Sequence, residues 1–264
     1  MLKVNMTPNL LGFKIAGDYN DLNELYDAVW NLSISDGEFP DDPRPSGSID
    51  EILMSTRLLA LCYDLRHAYQ GDRNIELVDS GLGAWAVEQR DLPFVEKNVE
   101  FSVEVLYPEA MYEAMVLVYL SSRRTHQFTA GLSRRTGLGD SVAVMLDKDI
   151  CTVRLYIAKL LSAVEKEATP GRAKRIRNML EDDSNMIPGL YQQWVDVLNE
   201  DYMMMSRKKR AESLSTIVRD LAEFHRNEQY LGLAADVAQF ALNKGISRDN
   251  VRIPGLYEWD NPEW

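Results

Sequence analysis

Cysteine and histidine are scarce in this chain, with 2 and 3 among 264 residues. Cys62 and Cys151 stand far apart, each inside an apolar helical pattern. That spacing argues against a disulfide framework or a cysteine-built zinc site, and it points to a reducing compartment. No metal and no cofactor is expected. Long apolar runs are missing too: none approaches the ~20 residues that cross a bilayer. The opening stretch MLKVNMTPNLLG lacks the apolar core and small-residue cleavage site of a signal peptide, so no membrane contact and a cytoplasmic location are expected. Cations are few over residues 1–120, where 8 Lys+Arg face 21 Asp+Glu, and the formal net charge of the chain is −12. Phosphate contacts need clustered cations, so wholesale nucleic-acid binding is not favoured. The 12 basic residues against 5 acidic ones over 121–177 leave a local anion or nucleic-acid site open.

What is present reads as an α+β protein. Two short strands, LKVNM and FKIAG, flank TPNLLG, where Pro8 and Gly12 suit a turn. A helix starts near Asn20, with Leu22, Leu25, Tyr26, Val29 and Trp30 at helical spacing. The loop SDGEFPDDPRPSGS ends it. Ser48 and Glu51 form the capping box of a second helix, which runs to about Gln70 and stops at Gly71. NIELVD and NVEFSVEVLY read as strands, and GAWAVEQ as another. Pro108 and Glu109 open a helical stretch with helices near 108–128, 140–166, 170–182, 188–202, 206–227 and 229–244. The expected architecture is a small antiparallel or mixed sheet with helices over 1–130 and a helical bundle over 131–264. These are two domains or one continuous body.

The pentapeptide IPGLY occurs twice, at Ile187–Tyr191 and Ile253–Tyr257. In each copy Pro ends any upstream helix and Gly permits a turn, so that Ile, Leu and Tyr can dock on helices already in place. No similarity extends beyond these five residues, so a solenoid array is not supported. The tail IPGLYEWDNPEW makes Tyr257, Trp259 and Trp264 candidates for partner contact; the plainer alternative is that they fill gaps in their own core.

The polar residues form no obvious catalytic set. Glu100 and Glu104 share a strand face but stand roughly 13 Å apart, beyond the spacing of a glycosidase pair. Asp79, Glu88 and Glu96 only vaguely resemble metal-nuclease strands. Arg134 and Arg135, with Gly137 and Gly139 ahead of a helix starting near Asp140, are candidates for anion binding, against the plainer reading of a helix–turn–helix connection. The runs RAKRIR and RKKR read as solvated helix faces. Arg219 and His225 fit the R-x(4–6)-H pattern of HEPN ribonucleases, all-helical proteins in which such a pair converges on an RNA phosphate. On one helix, however, the two side chains would stand about 120° apart, and His225 extends the apolar row Leu214, Val218, Leu221.

Across residues 1–165, GDYNDLNELYDAV and VEFSVEVLYPEAMYEAM resemble an uncharacterised family of bacterial proteins. The resemblance implies a bacterial cytoplasmic protein and supplies no catalytic residue. The expected function is a non-enzymatic protein-interaction or assembly module, self-associating through the apolar seam Val142–Val164 and the aromatic tail. The alternatives are a ribonuclease or RNA-binding protein using Arg219 and His225, and a binder of a small anionic ligand.

Overall fold

The computed structural model describes residues 1–35, 37, 41–81, 97–136, 147–182, 189–253 and 264. In chain order the elements are β1 (Lys3–Met6), β2 (Gly12–Gly17), α1 (Tyr19–Leu32), α2 (Ile49–Tyr69), β3 (Asn74–Asp79) and β4 (Lys97–Leu106). There follow α3 (Tyr107–Thr136), α4 (Lys148–Glu167), α5 (Pro170–Glu181), α6 (Gln192–Met203), α7 (Arg207–Ala222) and α8 (Glu228–Lys244). The fold is α+β, and its four strands run in the order β1-β2-β4-β3 with every neighbouring pair antiparallel.

Alternation along the strands gives the sheet two different faces. On one, Phe13 pairs with Val105 and Ile15 with Val103, all buried. On the other, Lys3 of β1 bridges to Glu100 of β4 and Lys14 of β2 to Glu76 of β3, each reaching across the strand between. Gly12 stands opposite Leu106 in the β2–β4 ladder. A Cβ there would lie 2.0 Å from the Val105 carbonyl oxygen, so no other residue fits without parting the strands.

The β1–β2 turn is finished by residues remote in sequence. Thr7 Oγ1 accepts from the backbone amides of Leu11 and Gly12. Leu10 lies at φ +56°, a left-handed conformation that costs a non-glycine residue about 1 kcal/mol or more. Its carbonyl accepts from the Tyr202 hydroxyl at 2.8 Å, and the neighbouring Asn9 carbonyl accepts from Arg210 Nη1 at 3.0 Å.

Helix α3 starts directly where β4 ends and carries the middle of the core. Ala110, Met111, Tyr112, Ala114, Val116 and Leu117 are all fully buried. Tyr107 at its start stacks between Phe13 and Tyr202, and its hydroxyl donates to the Leu214 carbonyl. One cluster of buried side chains runs from Leu2 to Tyr230.

The capping box at Ser48/Glu51 and the left-handed Gly71 stand as expected, and Asp18/Asp21 cap α1 in the same way. Three expectations change. The seam on α4 is spent inside the chain: Ile150, Val153, Leu160 and Val164 are buried, with α1, β1 and α5 among their neighbours. The helix expected over 206–227 ends at Ala222, because Phe224 turns inward onto Tyr230 at 4.8 Å and Asn227 caps α8. Arg210, read as part of a solvated run, is buried and donates to the carbonyls of Tyr202 and Met203 at the end of α6. The GAWAVEQ strand, Val142 and Leu146, and the second IPGLY copy beyond Ile253 lie outside the described residues.

Gly12→Ala is expected to part β2 from β4 and lower stability by about 1–3 kcal/mol, read as an earlier midpoint in urea unfolding.

Candidate functional site

Three helices each bring a polar stripe to one place. Arg57, Leu61 and Asp64 lie at i, i+4 and i+7 on α2, Glu109 and Glu113 at i and i+4 on α3, and Gln192, Asp196 and Asn199 at i, i+4 and i+7 on α6. Such spacings set side chains on one face of a helix. The three faces meet around Arg57. Its Nη1 donates to Glu109 Oε2 at 2.6 Å, and its Nη2 donates to Asp196 Oδ1 at 2.6 Å and to the Gln192 carbonyl at 2.8 Å. Nε donates to Gln192 Oε1 at 2.6 Å. Asn199 Nδ2 also donates to Glu109 Oε2, and Gln192 Nε2 to the Tyr112 hydroxyl. Burial works against the charge on Arg57, but Glu109 and Asp196 outweigh it and hold the guanidinium above its usual pKa.

Beside this cluster lies a cavity of about 440 Å³. Arg57 and five acidic residues, Asp64, Glu104, Glu109, Glu113 and Asp196, line it, so its charge is predominantly negative. Ala60, Leu61, Val105, Leu106 and Trp264 supply an apolar side. Two lining residues are themselves buried and keep an oxygen without a hydrogen-bond partner: Glu113, 2% exposed, at Oε2, and Asn199, 1% exposed, at Oδ1. Leaving a buried polar group unpaired costs about 1–3 kcal/mol. Burial first, then the charges of Glu109 and Asp64, push the Glu113 carboxyl well above the usual carboxylate range, with Arg57 opposing.

The convergence of Glu109 and Asp196 on Arg57 corrects the expectation of dispersed carboxylates. A signal for it was present: Glu113 is the one charged residue in the run AMYEAMVLVYL. Glu100 and Glu104 are held separately, by Lys3 and by Asn74.

The residues singled out in the sequence fall elsewhere. Arg219 is exposed on α7 and bridges to Asp220, while His225 is exposed in a 3₁₀ turn past the helix end, its ring edge-on to Phe224. The small cavity beside Arg219 is lined by Asp220, Glu223, Arg226, Asn227, Glu228 and Gln229. Arg134 and Arg135 belong to the last turn of α3, where carbonyls rather than amides are left over. Their side chains, with Gly137, Gly139, Tyr257 and Trp259, lie outside the described residues. Trp264 packs against the main core, and its carbonyl accepts from Asn9 Nδ2. Several cations of the basic stretch are engaged within the chain: Arg123 with Glu51, Arg124 with Asp147 and Asp149, Arg177 with Glu165.

Of the first IPGLY copy, Gly189–Tyr191 are described, and they are held from both sides. Gly189 takes φ +94° and its carbonyl accepts from the Tyr230 hydroxyl, while Tyr191 receives Arg248 over its ring and on its hydroxyl. Gln193 donates to the carbonyls of Arg248 and Val251, so the chain leading to the second copy rests on the start of α6.

Among the described residues, no group of three or more His, Cys, Asp or Glu is placed to hold a metal ion, and no helix is long and apolar enough to cross a membrane. Fold and site together define an α+β protein with an acid-lined cavity at the junction of three helices. Residues 2–264 match the family model described as Domain of unknown function (DUF6904), and the chain belongs to that family. The match reaches through the helical part, well past the residues 1–165 that carried the resemblance in the sequence. No curated protein and no solved structure matches the chain.

Arg57→Leu would leave the buried Asp196 and the partly buried Glu109 without their cation. A loss of about 3–5 kcal/mol is expected, measured by urea unfolding at neutral pH. Glu113 gives a pH signature. Unfolded, it ionises near pH 4.5; folded, it keeps its proton to higher pH. The stability tied to that proton is complete below the unfolded value and is lost as pH rises toward the folded one, at up to about 1.4 kcal/mol per pH unit. Glu113→Gln should therefore flatten the decline of stability between pH 5 and 7, seen in urea midpoints taken across that range.

Proposed function

We propose that the protein acts by holding a ligand in the cavity beside Arg57, without chemical turnover. The observation that carries this reading is a cavity of about 440 Å³ whose wall joins Arg57 and five acidic residues to an apolar side. That size is within the range of small-molecule sites. Arg57 supports the reading from the other side. Four of its five N–H donors are engaged, by Gln192, Glu109 and Asp196, so it holds the walls together.

A protein partner is a second reading, favoured by the exposed apolar side chains Phe240, Leu242 and Ile246 at the end of α8. Large exposed apolar groups of this kind are common at contact surfaces. A strictly monomeric species in sedimentation at high micromolar concentration would count against it.

The ligand reading is tested with Ala60→Trp. Ala60 is exposed on α2 and lines the cavity, so the larger ring fills the space without entering the core. A fragment screen followed by amide NMR should give hits whose shifts cluster on α2, α3 and α6 and vanish in Ala60→Trp. Hits that persist in the variant, or none at all, would refute the reading.

A further inference from the structure

We propose that β3 is the contact edge of a homodimer, in which two copies pair this strand antiparallel about a two-fold axis and join their sheets into one. The inference is independent of the cavity.

The two outer strands of the sheet differ. β1 has α4 packed against it, and Leu2 and Val4 are buried there. β3 pairs with β4 on one side, and among the described residues no strand pairs with its other side. All of its residues but Val78 are exposed. An open edge presents a row of unpaired amides and carbonyls, and proteins commonly blunt such an edge with lysine, proline or an inward-pointing charge. The strand NIELVD holds no lysine and no proline. Its one mid-strand charge, Glu76, is claimed by Lys14 on the polar face.

The other face of this edge is apolar. Ile75 stands opposite Phe101 and Leu77 opposite Val99, on the face that carries Val103 and Val105 into the core. Val103 and Val105 are buried, yet Ile75 is 53% exposed, Leu77 64% and Val99 43%. The apolar face thus continues past the part of the sheet that the chain covers.

Register identifies the occupant. Residues opposite each other in an antiparallel pair lie on the same face of the sheet. A strand meeting its own copy must therefore pair residues whose numbers sum to an even value. With Glu76 opposite its counterpart, Ile75 meets the second copy's Leu77, and Arg73 meets the second copy's Asp79. Symmetry makes each of these contacts twice. Centred on Ile75 instead, the pairing sets Arg73 against Leu77; centred on Leu77, it sets Ile75 against Asp79. Of the three, only the first matches apolar with apolar and cation with anion. The two Glu76 carboxylates face each other there, each with its own Lys14 beside it. The Arg73–Asp64 pair within the chain is exposed and leaves further guanidinium donors for the second copy. A six-residue strand pair is small beside the ~1,600 Å² of a standard interface, so the dimer forms and parts with concentration.

Sedimentation velocity of the full chain, from low to high micromolar concentration, should show a monomer–dimer equilibrium. Leu77→Lys changes a side chain outside the core and is expected to weaken the dimer at least tenfold, while Phe240→Lys on α8 leaves it unchanged. Arg73→Glu sets acid against Asp79, and Asp79→Arg sets arginine against Arg73, so each variant alone should be at least tenfold weaker. Mixed one to one, the two variants match every charge with its opposite, and the dimer should return. A monomer at every concentration overturns the proposal, whether residues 82–96 of the same chain or a different protein then covers the edge. A dimer that survives Leu77→Lys but not Phe240→Lys overturns it too, as do charge variants that stay monomeric when mixed.

Discussion

Arg57 is the tie on which the junction of α2, α3 and α6 depends. A planar guanidinium presents its donors as a rigid fork, and here the fork reaches partners on two other helices at once. Buried ion pairs contribute little net stability, because desolvation consumes most of the Coulombic gain. Their strength lies in what they exclude. Any packing in which α6 rotated by one residue would strand Asp196 or Gln192, and any shift of α3 would strand Glu109. The arginine thus selects one arrangement of three helices from many that an apolar core alone would tolerate.

The cavity follows from the same arrangement. Around Tyr107 the helices close on aromatic rings stacked at 5.7 and 5.4 Å, and the core there is filled. Around Arg57 they are held apart by polar side chains whose reach is set by hydrogen bonds. Side chains chosen for directionality pack less completely than those chosen for volume, and the space left over takes the polarity of its walls. Glu113 lies between the two regimes, on the helix that supplies both.

Much of the fold was legible in the sequence because its signals are local. The capping box at Ser48 and Glu51, the glycine at 71 and the alternation through Val99–Val105 each act over a few residues. Where reading failed, the deciding contacts join one element to another. Helix α7 ends at Ala222 because Phe224 meets Tyr230 and Asn227 caps the next helix, and a hydrophobic row through Leu214 and Val218 carries no sign of that. Arg210 looks like surface charge in RKKR until the carbonyls at the end of α6 come to meet it. The site was missed for the same reason. Arg57, Glu109 and Asp196 are 52 and 139 residues apart counted from the arginine. Only Glu113, alone in an apolar helix, marked the place.

The β1–β2 turn carries a consequence for how the chain is made. Leu10 is held in its left-handed conformation by Tyr202, and Asn9 by Arg210, across separations of 192 and 201 residues. A ribosome adding about 5–20 residues per second needs some 10–40 s to bring those partners into being. Until then the first hairpin has its strand-forming residues but lacks the groups that hold its bend, and the Phe13–Tyr107 stack lacks its third ring, Tyr202. This hairpin, made well before its partners, is therefore among the last parts to be locked, and an early mispairing of β1 can be corrected before α6 and α7 arrive to seal it.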